Sequence, residues 1–369
     1  MVDFSMFDTV SKDKWLEKIE VDLKGKAIET LNWDINDRLI ISPFKDSSDL
    51  PNGSEARSIK KDNAWAAMEP IWVSDDLSAA NGQLLLALQG GSNGIRIHTS
   101  EILNVQSLNK LFNEVYLEMI TVDWVLPMSL SISDQMAHIA EYLTTEGKSI
   151  GDLKLSFDGN LKSLQSTDIG RYPTVKFITI DGLVYYNGIE EIERELGSII
   201  YELCQSIEQV GASDLAGLFN SIQIKLAIDD CYLLNIAAAR AIKHLVRLLF
   251  EGYGYTPEQD VHLSCITPKS ILTDDINYNR IKQSTAALSA VASSADTIQI
   301  YHSEGEDGES SKFSRKIARN TFHLLSMESY MDRVVDPAAG SYYIESLTDI
   351  IGEKAWTYFQ QMCTKYNQA

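Results

Sequence analysis

The stretch IQIKLAIDDCYLLNIAAARAIKHLVRLLF, Ile222–Phe250, decides the fold. Its opening, Ile222–Ile228, is a short β-type run. Two acids follow, and Tyr232–Phe250 is an amphipathic helical stretch. A second β-type run, Val261–Thr267, comes next. Strand, helix and strand in that order is the pattern of a βαβ unit, whose strands lie parallel. The rhythm extends in both directions. Upstream lie the candidate strands Glu69–Val73, Gly94–Thr99, Ile120–Leu126, Leu153–Phe157 and Lys176–Ile180, and downstream lies Thr297–His302. Asp76–Leu88, Asp134–Thr144, Glu190–Val210 and Tyr278–Ala292 are the further helical stretches between them. Eight strands over roughly 240 residues fit a closed (β/α)8 barrel of the α/β class, with a doubly wound open sheet as the alternative.

The flanks read differently. Ser11–Gly25 is one helix, with Ser11 as its cap, Trp15, Ile19 and Leu23 recurring every fourth residue, and Gly25 at its end. Leu39–Ile41 is a short strand. Lys45–Asn63 is polar, carries Pro51 and Gly53, and reads as an exposed loop. Residues 1–63 are therefore expected to form a helical arm and extended linker, and residues 64–369 the barrel with its C-terminal helices. Two helices follow the eighth strand: Ser311–Met327, with Lys312, Arg315, Lys316 and Arg319 on its polar side, and Asp349–Tyr366.

The 369 residues carry 52 acids against 32 lysines and arginines, a net charge of −20. That balance excludes a nucleic-acid binder and opposes docking on an anionic membrane. No apolar run approaches the ~20 residues that span a bilayer, and the N-terminus lacks the basic and apolar regions of a signal peptide, so a cytoplasmic location is expected. Cys204, Cys231, Cys265 and Cys363 are scattered, without a CxxC pair, and read as reduced structural thiols.

Chemistry-bearing motifs are sparse. No phosphate loop or G-x-G-x-x-G occurs, and Gly90–Gly94 reads as a helix C-cap and turn. His98, His262 and His302 each fall within or at the end of a candidate strand. A histidine at a C-terminal strand end can be catalytic in a barrel, or can be a hydrogen-bonded core or rim residue. Asp229 and Asp230 are either a carboxylate pair at the barrel mouth or acids capping a helix start. Glu304–Glu309 is an acidic loop expected to be solvated.

VVDPAAGSYYIESLT, Val334–Thr348, closely resembles the signature of the methylmalonyl-CoA mutase family, and SRKIARNT, Ser314–Thr321, resembles the stretch that precedes it. Weaker similarity covers Leu272–Val291, Cys231–Leu245 and Lys176–Gly182. The resemblance implies the family's substrate-binding (β/α)8 barrel. It also implies that relatives continue into a cobalamin-binding Rossmann-like domain, which is not expected within these 369 residues. Asp260-Val261-His262 is not taken for the D-x-H-x-x-G cobalamin motif, because Cys265 stands at its glycine position.

The departures from the family pattern bear on function. Val184 stands where the catalytic subunit has a histidine, and Tyr186 and Asn187 where a Gln and a Glu follow. Ser264 stands at the second histidine position. Cys231 and Asn235 replace the Asn and Glu that hold the adenosyl ribose. The glycine-rich run becomes Ser294–His302, no counterpart of the carboxylate-binding arginine segment lies between Asp158 and Lys176, and the catalytic tyrosine position falls near Lys60. Valine cannot donate a hydrogen bond to a thioester oxygen, and a buried substrate carboxylate without an arginine lacks a charge-assisted partner. The resemblance thus implies the family's non-catalytic small (β) subunit: no catalytic, cofactor or metal residues in this chain, adenosylcobalamin in a catalytic large subunit, and a heterodimer of the two. An independently active isomerase and a regulatory acyl-CoA-binding barrel are the alternatives.

Overall fold

The structure, a computed structural model, describes residues 10–50, 60–159, 164, 166–210, 214–304 and 311–366. Eight parallel strands form the barrel: β3 (Ala66–Val73), β4 (Gly94–Thr99), β5 (Thr121–Val125), β6 (Lys154–Asp158), β7 (Ile178–Asp181), β8 (Ile222–Ala227), β9 (His262–Ile266) and β10 (Thr297–Gln299). Their order around the wall is β6-β5-β4-β3-β10-β9-β8-β7. The circle closes between β6 and β7, where Lys176 N donates to Leu155 O at 2.9 Å and Phe157 N to Lys176 O at 2.8 Å. Closure rules out the open sheet, and each of the eight sequence-predicted strands has its counterpart.

A helix follows each strand: α2 (Leu77–Gln89), α3 (Val105–Leu111), α4 (Ile132–Thr145), α5 (Ser166–Arg171), α6 (Ile192–Val210), α8 (Tyr232–Gly252), α9 (Ile276–Ala292) and α10 (Lys312–His323), with α7 (Leu215–Asn220) inserted before β8. The short α3, α5 and α7 were not anticipated: at six or seven residues they carry too few turns for a period to register. Side-chain caps start several of these helices, as when Asp76 accepts from Ala79 N, Ser131 from Asp134 N and Ser311 from Ser314 N. Outward-facing strand residues such as Ile71, Ile95, Ile97, Phe157 and Ile224 are wholly buried beneath the helices.

The last helix, α11 (Tyr342–Tyr366), begins seven residues earlier than the sequence suggests, so the second half of the signature is helical. It packs across α6 and α8. Gly197 permits the close crossing: a Cβ there would lie 2.7 Å from Ala355 O and 2.8 Å from Tyr358 Cδ1. Helix α10 ends in a π-turn, Leu324–Glu328.

Ahead of the barrel, α1 (Lys12–Asp22) is capped by Ser11, and Gly25 follows at φ +87°. A hairpin of β1 (Trp33–Asn36) and β2 (Leu39–Ile41) comes next, and β1 was not anticipated. Ile35, Leu39 and Ile41 enter the main core, while Arg38 pairs with Glu193 of α6 at 2.6 Å. Helix α1 buries none of its residues. Trp15 meets the edge of Phe44, at 4.2 Å between ring centres, and Lys12 pairs with Asp49. Residues 51–59 of the Lys45–Asn63 loop and Gly305–Glu309 of the acidic loop lie outside the described residues.

Candidate functional site

In a barrel of this kind the axis and the C-terminal strand ends are where chemistry is placed. Here the axis is crossed by charged and amide side chains. Arg96 on β4 donates from Nε to Asp123 Oδ2 at 2.6 Å, from Nη1 to Gln299 Oε1 at 2.5 Å and from Nη2 to Ser264 Oγ at 3.1 Å. Asp123 also accepts from Ser156 Oγ at 2.7 Å and Gln223 Nε2 at 3.3 Å. Lys225 on β8 donates to Asp158 at 2.5 Å and lies 3.8 Å from Asp123. Gln223 reaches Thr179 on β7 at 2.8 Å. Seven of the eight strands are thus cross-linked through the middle by side chains that, Asp158 apart, are almost wholly buried. Burial works against the charge of Asp123, but Lys225 and Arg96 more than offset it and hold the carboxyl well below its usual range.

No single motif announced this network. Its signal was nevertheless present, because GIRIHT, TVDWV, KLSFD and IQIKLA all alternate polar and apolar residues. In a barrel strand that alternation places one set on the axis and the other beneath the helices.

Below the network, at the N-terminal mouth, a cavity of about 620 Å³ is lined by residues including Lys60, Lys154, Lys176, His262 and Asp296. It reaches Ser156, but Arg96, Asp123, Gln223 and Lys225 are not part of its lining. Two of its lysines have partners: Lys60 lies 3.2 Å from Asp296, and Lys176 donates to Asn220 O.

The three histidines do not converge. His262 begins β9 and so lies at the N-terminal mouth, not at a C-terminal strand end. Burial pushes its ring down to about 4, and Asp296 stands 3.9 Å away. His98, near the end of β4, stacks on Trp72 at 4.9 Å. His302 lies beyond β10 in a cavity against α10, outside the barrel wall. Gly90 and Gly91 form the expected C-cap of α2, and here α10 packs directly on them. A Cβ on Gly90 would fall 2.4 Å from Arg319 Nε, and one on Gly91, at φ +91°, 2.3 Å from the His323 ring.

At the C-terminal mouth the side chains mostly hold the protein's own backbone. Val184 is 70% exposed. Ser264 is fully buried and accepts from Arg96. Asn235 donates to Asp229 O at 2.8 Å and Ser289 Oγ at 3.3 Å. Asp229 accepts from Cys231 N at 2.8 Å and Tyr186 Oη at 3.0 Å, the helix-start role; the N-cap position itself is Cys231, with no side-chain bond. Asp230 faces Lys282. Glu195 is 1% exposed, no side chain among the described residues hydrogen-bonds its carboxyl, and the nearby Ala227 backbone N–H favours its charged form. Burial, with Asp229 adding to it, pushes its carboxyl up to about 8. Burial also lifts the Cys231 thiol to about 12. No group of three or more metal-ligating side chains occurs among the described residues.

The signature has a structural task. Arg240 on α8 pairs with both Asp336 and Glu345 of the run Val334–Thr348, all three buried. Asp336 adopts φ +45° and donates its N–H to Ser294 Oγ at 3.0 Å, and Gly340, at φ +80°, donates to Glu345 Oε1 at 3.1 Å. Ile236, Ala292, Ala338 and Ile344 pack beside it. The motif ties α11 to α8 and touches no part of the axis network described above.

Barrel, filled axis and clamp together define an α/β barrel protein. The chain belongs to the methylmalonyl-CoA mutase family: that family's model matches residues 104–365. It is 27% identical over 396 residues to the methylmalonyl-CoA mutase small subunit of Porphyromonas gingivalis, covering 96% of this chain and 63% of that protein. It is 31% identical to the small subunit of Streptomyces virginiae over 52% of this chain and 32% of that one. With the methylmalonyl-CoA mutase of Escherichia coli the identity is 32% over 52% of this chain and 28% of that one. The chain therefore spans less than two thirds of each of these relatives. Among solved structures it is similar to dihydropteroate synthase of Xanthomonas albilineans, at 10% identity and a TM-score of 0.41 over 73% of this chain and 94% of that one, a likeness too slight to argue from. Among the described residues no helix is long and apolar enough to cross a membrane.

Proposed function

We propose that this chain is the non-catalytic partner of an adenosylcobalamin-dependent methylmalonyl-CoA mutase, in which a large subunit isomerises methylmalonyl-CoA and succinyl-CoA. The observation that carries the reading is the Arg96–Asp123–Lys225–Asp158 network, which occupies the axis with the protein's own charges. Adenosylcobalamin supplies radical chemistry where it binds. The residues here do not fit it: Asn235 gives its amide donors to Asp229 and Ser289, and Cys231 offers a thiol held protonated by burial. No reaction step is assigned to this chain. The names of the curated relatives support a partner subunit, and the unburied face of α1 supports a docking arm.

The test is co-expression with a large subunit. One-to-one association is expected. Turnover should vanish when the large subunit's catalytic histidine is replaced, and should survive His262→Gln in this chain. Trp15→Ala should weaken association without lowering the melting temperature of the isolated chain. Failure to associate would overturn the reading. The cavity at the N-terminal mouth favours the alternative of a regulatory acyl-CoA barrel. Calorimetry with CoA decides it: no heat of binding is expected, because Lys60 and Lys176 already have partners and the chain's net negative charge repels the phosphates.

A further inference from the structure

Outside the barrel wall, between β3, β10 and α10, lies a small, partly open pocket with an excess of positive charge among its lining residues. Glu69, 4% exposed, is its one carboxylate among the described residues. It accepts twice from Arg319 Nη1, at 2.7 and 2.9 Å, and once from Ser92 Oγ at 3.1 Å. Arg315 lies on the same helical face one turn earlier. Its Nε is 3.8 Å from Glu69, too far for a hydrogen bond, and its Nη1 reaches Gln83 only at 3.5 Å. Arg315 Nε and Nη2 are buried without a hydrogen-bond partner among the described residues. His302 completes the lining; burial, and then the two arginines, push its ring down to about 4, so it adds no charge at neutral pH.

Among the described lining residues, two guanidinium groups against one carboxylate leave one positive charge in excess. A guanidinium only donates, so its unused N–H groups need an acceptor. The cavity between them is about 10 Å³, room for one small particle, with Ala67, Ile300, Ala318 and Phe322 forming its apolar sides. Phosphate, sulfate and organic carboxylates are too large, and a divalent anion would reverse the charge imbalance instead of cancelling it. We propose that this pocket binds one monovalent inorganic anion, chloride, on the Nε and Nη2 groups of Arg315. The ion completes the contact between α10 and the barrel wall and is independent of the functional reading above.

Crystals of the chain grown in bromide test this by anomalous scattering, together with melting curves in chloride and gluconate at equal ionic strength. An anomalous peak is expected within hydrogen-bond reach of Arg315 Nε and Nη2. Chloride should raise the melting temperature of the wild type by roughly 1–2 °C and leave Arg315→Met unmoved. The methionine keeps the apolar stem of the side chain, and circular dichroism verifies that it folds. An ordered pocket without a peak overturns the proposal. So does a chloride effect of equal size in Arg315→Met, or a peak without any chloride effect on melting, which is binding at crystal concentration only.

Discussion

At the barrel axis, Arg96 and Lys225 share Asp123, and amide and hydroxyl groups from the surrounding strands close the remaining bonds. At the outer wall, Arg240 sits between Asp336 and Glu345. Both are buried ion networks, yet they stand in opposite relation to the family pattern. The clamp is built from the stretches where this chain resembles the family, Cys231–Leu245 and Val334–Thr348. The axis includes Ser264, a position where it departs. Arg96 bonds Ser264, so the histidine position of the pattern now belongs to the internal network. The difference teaches that a signature can report how a barrel is assembled and say nothing of whether it catalyses.

The sharpest way to break this comparison is to remove one member from each network. Asp123→Ala leaves buried Arg96 without its carboxylate while Lys225 keeps Asp158, and Arg240→Ala strands two buried carboxylates. Each should cost about 3–5 kcal/mol in urea unfolding. They should differ in where the damage falls: Arg240→Ala should deprotect the amides of α11 in hydrogen exchange before those of the strands, while Asp123→Ala should lower protection throughout the barrel. Equal protection patterns would erase the distinction between axis and clamp.

A smaller effect sharpens the account of the outer wall. Gly197→Ala places a methyl against Ala355 O and Tyr358, forcing α6 and α11 apart. A loss of about 1–3 kcal/mol is expected, and Gly252→Ala, with open space around it, should serve as the neutral control for steric damage.

The smallest effect is graded by pH. Glu195 titrates near 8 in the folded chain, above its ordinary value of 4.5, so the folded state keeps a proton that the unfolded chain releases between those values. Its contribution is intact below about pH 4.5 and is lost as pH rises through 8. Glu195→Gln should therefore gain on the wild type by roughly 2–4 °C in melting temperature between pH 5 and pH 8. A gap that stays constant with pH would show that Glu195 is ionised in the folded chain.

The barrel was legible because strand and helix alternate with different periods, and each strand is long enough to show its own. The start of α11 was hidden by Pro337 and Gly340, which mark a turn just ahead of Tyr342 and made the whole signature read as a connection. His262 was misplaced in function, not in structure: it sits on its predicted strand, but at the end facing the N-terminal mouth. The axis network was half legible. Alternation identifies Arg96, Asp123 and Lys225 as one face of their strands, but Arg96 and Gln299 are 203 residues apart, and only closure of the barrel brings them together. The clamp was concealed for the same reason, since Arg240 and Glu345 meet across 105 residues of chain.

The most direct measurement incubates this chain alone with adenosylcobalamin and methylmalonyl-CoA and follows succinyl-CoA by mass spectrometry. The filled axis predicts no product above the cofactor-only control, and turnover restored only when a large subunit is added. Succinyl-CoA formed by the isolated chain would contradict the account.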